Sequence, residues 1–146
     1  MNYIVRIQFV SRVIYIRRRK INTTKPEIIQ TASEMFIENG YSSTSLRSIA
    51  DKLDISPGHL VFYFPTKEHL LAVLIDKLCS FQWKLIKKEA EDGISTLLAV
   101  CLELMTMAAA AEEDEIAKDF LVSAYQSRRC LEMIQKNDIE RAKEVF

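Results

Sequence analysis

Residues 45–67, SLRSIADKLDISPGHLVFYFPTK, set hydrogen-bonding side chains and a glycine at the start of a short helix. That chemistry suits a surface that reads base edges, not one that makes or breaks bonds. Leu46, Ile49, Ala50 and Leu53 fall at helical spacing behind Thr44 or Ser45, either of which can cap the first turn. A second helix starts after Ser56, whose hydroxyl can accept from an early amide, while Pro57 at the first helical position has no N–H to leave unpaired. Pro65 pushes Phe64 out of the α region and stops this helix after about two turns. Two short helices around a tight turn predict a second helix that enters a major groove while the first crosses the backbone.

No other grouping carries chemistry. The two histidines, His59 and His69, stand ten positions apart, there is no glycine-rich phosphate loop, and no nucleophile is spaced with a base and an orienting group. The sequence predicts no catalytic residue, no metal site and no cofactor. Cys79, Cys101 and Cys130 are odd in number, widely spaced and set in apolar helical patterns, so they read as buried, reduced thiols of a cytoplasmic protein, with a redox sensor as the alternative.

The elements that must hold the reading helices are helical throughout. With 49% hydrophobic residues, three glycines and three prolines in 146 residues, the composition suits a compact all-helical protein and argues against disorder or a β-rich fold. Helix 1 is announced by a capping-box spacing of Thr24 and Glu27, Pro26 in its first turn, and Asn39-Gly40 as a stop. Its Ile29, Ala32 and Phe36 share a face that should pack beneath the reading helices. Thr66 can cap a long helix with an apolar stripe of Leu70, Leu71, Leu74, Leu78, Phe81 and Leu85, ended by Asp92-Gly93. Residues 94–111 are apolar nearly all round and predict a helix surrounded by others. Glu112, Glu113, Asp114 and Glu115 suit the positive end of the next helix, with Ile116, Phe120, Leu121 and Tyr125 turned inward. Asn137 or Asp138 can cap a last helix bearing Ile139, Ala142 and Val145.

At Pro26, Ile29, Ala32, Phe36, Asn39-Gly40-Tyr41, Thr44, Ile49-Ala50, Ile55-Ser56, Gly58, Leu60 and Tyr63-Phe64-Pro65-Thr66-Lys67-Glu68-His69-Leu70 the chain resembles the TetR family of bacterial transcriptional regulators. The resemblance implies an all-α fold: a three-helix helix-turn-helix head over residues 21–66, joined by a long helix to a partial helical-bundle effector and dimerisation domain over 67–146. It also implies the site. Thr44, Tyr63 and Lys67 match positions that hold phosphates, and Ser45, Arg47, Ser56, Pro57, Gly58, His59 and Phe62 complete the DNA-facing set, with Arg47 and His59 as donors to base edges. Asp54 stands where the family often has a turn glycine, and aspartate tolerates a left-handed backbone better than most residues. Val61 and Phe62 replace the tyrosine and the frequent polar residue of the family's Leu-Tyr-x-Tyr-Phe run.

The implied partners are a palindromic double-stranded operator, a small-molecule effector in a pocket lined by Trp83, Met105, Met107, Phe120 and Tyr125, and a second copy of the full-length protein. Family members pair through two further C-terminal helices, so residues 67–146 read as an incomplete domain. The competing reading is a helical interaction or ligand-binding module that has lost DNA binding. Charge fits the first reading. Residues 1–70 hold ten Lys/Arg against six Asp/Glu, and residues 71–146 ten against fourteen, as expected if only the head meets phosphate. Residues 1–20 are an atypical basic and apolar extension that is neither a secretory signal nor a membrane span. Either it is a poorly ordered or mis-assigned extension, or Arg17 to Lys20 form an arm that reaches phosphate.

Overall fold

The computed structural model describes residues 25–91 and 95–145. Thr24 of the capping box, the extension 1–20 with its basic arm, the Asp92-Gly93 stop and Phe146 lie outside the described residues. Within them the fold is all-α: α1 (Lys25–Asn39), α2 (Leu46–Lys52), α3 (Pro57–Tyr63), α4 (Lys67–Glu91), α5 (Thr96–Glu113), α6 (Glu115–Gln126) and α7 (Arg128–Val145).

Local chemistry sets the boundaries of the head. Gly40 closes α1 with φ of 87°, a left-handed conformation that glycine adopts without a Cβ clash. Ser45, not Thr44, caps α2, through a capping box in which Ser45 and Ser48 each satisfy the other's backbone N–H. Asp54 takes the left-handed position after α2, at φ 54°. Around it the Ile55 N–H bonds the Ala50 carbonyl at 3.1 Å and the Asp54 N–H bonds Asp51 at 3.2 Å, a Schellman stop built without glycine. Ser56 caps α3 by accepting the His59 N–H at 3.2 Å, and Pro57 occupies its first turn.

A single apolar cluster runs from the head into the body. Ile28, Ala32 and Phe36 of α1, Ile49 and Ala50 of α2, Leu60 of α3 and Leu70, Leu71 and Leu74 of α4 are buried together, and Phe120, Ala124 and Cys130 extend the same cluster beyond α4. Helix α4 therefore belongs to both halves: its first turns complete the head and the rest packs on α5 and α7.

Several expectations give way here. Along α4 the buried stripe runs through Ile75, Leu78, Cys79 and Ile86, leaving Phe81 39% exposed and Leu85 half-buried. Helix α5 is not surrounded. It buries only Ala99 and Ala110 fully, while Leu97, Leu98, Leu102, Leu104 and Met105 stand exposed, because only α4 and α6 pack closely on it among the described residues. Glu112 and Glu113 end α5; Asp114 alone caps α6, accepting from Ile116 N–H at 2.9 Å. Tyr125 is 51% exposed where burial was expected, and Cys101 is exposed while Cys79 and Cys130 are buried. No helix begins at Asn137 or Asp138. Helix α7 runs unbroken through them from Arg128, the Ser127 hydroxyl accepts the Cys130 N–H, and Asn137 spends its amide on the Met133 carbonyl and Asp76. Ile139 and Ala142 are exposed.

Candidate nucleic-acid interface

Helix α3 is anchored from below and open above. Leu60 is fully buried and Phe64 nearly so, which pins the helix on α1, α2 and α4. Pro57, Gly58, His59, Val61 and Phe62 are exposed on its other side. Phe62 is the most exposed large apolar side chain described, at 82%. Its ring meets Tyr63 edge-on at 5.3 Å, and Tyr63 in turn meets His59 at 5.5 Å, so three aromatic groups brace one another on the reading face. The replacement of polar groups by Val61 and Phe62 gives this face apolar surface, the type that contacts thymine methyls in a major groove. Nothing in the chain lies within 4 Å of a Cβ built on Gly58, so no internal packing requires glycine there. Arg47 on α2 is exposed, and Ser45 and Ser56, both exposed, are committed to their caps.

Two of the residues expected at phosphates, Thr44 and Lys67, spend their donors on backbone carbonyls of the head. Thr44 is 3% exposed, and its hydroxyl donates to the Gly40 carbonyl at 2.8 Å and to Met35 at 3.3 Å. Lys67 directs its ammonium inward: it donates to the carbonyls of Tyr41 and Thr44, each at 2.8 Å, and to Ser42 at 3.4 Å, and sits 4.2 Å from the Tyr41 ring centroid. An ammonium has three donors, and these carbonyls take them. Lys67 is a staple of the α1–α2 turn. Burial lowers its pKa, opposed by the nearby Asp119 carboxylate, while burial and then Glu68 push the Tyr41 phenol up to about 12.

The head's charge also differs from the whole-sequence count. Between residues 25 and 67, Lys25, Arg47, Lys52 and Lys67 face Glu27, Glu34, Glu38, Asp51 and Asp54, so the basic excess of the N-terminal half lies in residues 1–24. Lys52 is matched by Glu38 at 3.4 Å, and the Lys25 ammonium lies 5.6 Å from the Phe64 ring centroid. The candidates whose polar or aromatic groups stay exposed or half-buried are Arg47 on α2 and His59, Phe62 and Tyr63 on α3 beside the open backbone at Gly58.

One contact had no signal in the sequence. The Ser42 backbone N–H donates to Asp119 Oδ2 at 2.8 Å and its hydroxyl donates to Asp119 Oδ1, linking the α1–α2 turn to α6 across 77 positions. A Cβ on Gly40 would lie 3.1 Å from the same carboxylate oxygen.

In the body, α4, α5, α6 and α7 enclose a cavity of about 330 Å³. Trp83, Met107 and Tyr125 line it; Met105 is turned out to solvent and Phe120 is in the core, so neither reaches it. The lining is mainly apolar, interrupted by Gln82, Thr96 and Asp138 and by Glu103 and Arg141, which pair at 3.6 Å with both side chains largely buried. Arg141 also donates to the Cys79 carbonyl at 2.6 Å and lies 5.7 Å from the Trp83 ring centroid. Burial raises the Glu103 pKa against the pull of Arg141, and burial pushes the Cys79 thiol up to about 11. Among the described residues no group of His, Cys, Asp and Glu is placed to hold a metal ion, and no helix is long and apolar enough to cross a membrane.

Comparison with known proteins bears on residues 28–74, which match the family described as bacterial regulatory proteins, tetR family. An uncharacterised HTH-type transcriptional regulator of Bacillus subtilis (strain 168), YuxN, is 45% identical over 49 residues, 34% of this chain and 17% of its own length. An HTH-type transcriptional repressor of Mycobacterium tuberculosis (strain ATCC 25618 / H37Rv) is 34% identical over 81 residues, covering 53% of this chain and 43% of the repressor. The HTH-type transcriptional regulator UidR of Escherichia coli (strain K12) is 40% identical over 52 residues, 36% of this chain and 26% of UidR. The matched stretch thus spans less than half the length of each of these relatives. No solved structure matches the chain significantly.

Proposed function

We propose, from the premise that residues 28–74 are a helix-turn-helix head of the TetR family, that this chain is a sequence-specific DNA-binding transcriptional regulator whose α3 reads the major groove. Regulators, not enzymes, are its named relatives. The observation that carries the reading is the geometry of α3: a helix locked from below by Leu60 and Phe64, with His59, Phe62 and an unobstructed Gly58 on its open side. Arg47 and His59 supply donors, Phe62 supplies apolar contact, and the Tyr63 phenol supplies a phosphate contact at the helix end.

The finer reading is a cytoplasmic repressor of a palindromic operator, released when a small molecule enters the body. The cavity supports it because α6 lines the cavity through Leu121, Ala124 and Tyr125 and also carries Asp119, which holds the α1–α2 turn. An occupant that displaces α6 would act on the head through that link, to the extent that it binds the two arrangements unequally. The lining fits a mainly apolar molecule with one polar group set against Glu103 and Arg141.

Footprinting on the DNA upstream of the chain's own coding region tests the function. Protection of a palindromic segment with half-site centres about 34 to 36 Å apart, or a multiple of that, is expected. Uniform weak protection along the fragment at moderate salt would contradict it and favour the module that has lost DNA binding.

A further inference from the structure

At Phe62 the face of α3 that holds Gly58 and His59 turns from polar to apolar chemistry. Phe62 follows these two residues by four and three positions, so all three share one side of the helix. Its ring is 82% exposed, and Val61 beside it, 42% exposed, likewise presents only hydrocarbon. The ring is held at its outward position: it meets Tyr63 edge-on at 5.3 Å, and Tyr63 meets His59 edge-on at 5.5 Å. These contacts restrict the ring before any ligand arrives, so less rotamer freedom is lost on contact.

Elimination identifies the group that Phe62 meets. A phenyl ring has no donor for phosphate oxygens, and neither donor nor acceptor for the polar base edges. Wedging between base steps is a minor-groove device, whereas a helix-turn-helix places its second helix in the major groove. On the major-groove edges of the four bases the one apolar group is the C5-methyl of thymine, which cytosine displays only when it is itself methylated at C5. We propose that Phe62 is a specificity-determining residue that selects a pyrimidine C5-methyl group in each half-site, an inference that rests on α3 being the major-groove helix. Helical rise places that methyl. Residues 59 and 62 lie about 4.5 Å apart along the axis, a little more than one base-pair step of about 3.4 Å, so the methyl lies one or two base pairs from the base edge beside His59.

Because Leu60 and Phe64 anchor α3 and Phe62 lies outside the buried cluster, Phe62→Ala removes the contact without removing core, and the variant should melt as the unmodified chain does. The test uses duplexes of the footprinted upstream segment in which each thymine is replaced in turn by uracil, compared by fluorescence anisotropy at fixed salt. Uracil keeps the base pair and its polar edge and deletes only the methyl. At one position in each half-site the replacement should weaken binding of the unmodified chain about fourfold, and about fifteenfold when made in both half-sites. Phe62→Ala should bind the thymine and uracil duplexes equally at that position, and Phe62→Leu should keep part of the difference.

A parallel scan from cytosine to 5-methylcytosine separates the two sources of the methyl. A gain at one cytosine that is lost in Phe62→Ala, with every thymine position silent, would support the proposal and assign the methyl to a modified base. No effect of methyl removal or addition at any position, or an effect that persists in Phe62→Ala, would overturn the proposal while leaving sequence-specific binding intact. Equal affinity of the unmodified chain for the segment and for an unrelated duplex would overturn the major-groove reading of α3, and this proposal with it.

Discussion

Ser42 gives both of its donors to the two carboxylate oxygens of Asp119, and by this contact the loop below the reading helices is tied to α6 of the body. Hydrogen bonds to a charged acceptor are worth more than neutral ones, although the exposure of Ser42 moderates the value. Asp119→Ala should lower unfolding stability by about 1 to 2 kcal/mol. If the contact also couples the halves, amide exchange in residues 40–44 should accelerate more than in α3. Unchanged exchange there would mean the contact is passive.

Lys67→Ala is expected to act as a stability mutation. It removes two bonds of 2.8 Å to the Tyr41 and Thr44 carbonyls, a loss of about 2 to 3 kcal/mol. Below the melting transition, its DNA affinity should keep nearly the full salt slope, whereas Arg47→Ala should reduce the slope by roughly one phosphate's share if Arg47 faces the duplex. Equal reductions in slope would return Lys67 to the interface.

Alkaline pH should destabilise the fold in two steps. Cys79 is raised from 9.0 to about 11 and Tyr41 from 10.0 to about 12, both chiefly by burial. Both groups keep their proton longer when folded. Their contribution is complete below the unfolded pKa and is lost as pH rises through the folded one, first between 9 and 11 and then between 10 and 12. Lys67, whose folded pKa is lowered, acts in the opposite sense below 10.5. Tyr41→Phe should flatten the upper part of the fall while leaving the lower part, as urea unfolding at stepped pH would show.

Gly58→Ala separates folding from DNA approach. A Cβ there meets nothing within the chain and alanine is the better helix former, so stability should stay level or rise by up to about 1 kcal/mol. DNA binding should fall at least tenfold if the backbone lies close to the groove. Normal binding would show that α3 stands off the bases at this turn.

The head was legible because its boundaries are local chemistry: Ser56-Pro57 starts α3, Pro65 stops it, and Asp54 takes the left-handed turn. Which way a polar side chain turns is not local. Thr44 and Lys67 have hydroxyl and ammonium groups suited to phosphate, but the carbonyls of residues 35, 40, 41 and 44 converge on them only after α1, α2 and α4 pack. The body was less legible for a related reason. An apolar helix such as α5 reads as buried whether or not a neighbour covers it, and Asn137-Asp138 has the composition of a cap although α7 runs through it.

The Glu103–Arg141 pair should be asymmetric to mutation. Arg141→Met strands a largely buried carboxylate whose pKa burial already raises, and should cost about 3 kcal/mol or more near neutral pH. The double change with Glu103→Gln should recover much of that loss. Additive losses in thermal unfolding would show that the two side chains act independently.

The most direct test of the reading assigned to α3 is a competition between two duplexes, the protected upstream segment and an unrelated sequence of equal length, followed by fluorescence anisotropy at fixed moderate salt. The unmodified chain should prefer its own segment by about 10³-fold or more. A His59→Ala, Phe62→Ala variant should lose about ten- to several hundred-fold of that preference while melting normally and keeping its affinity for the unrelated duplex. Equal affinity of the unmodified chain for both duplexes, or a preference untouched by the double change, would contradict the assignment.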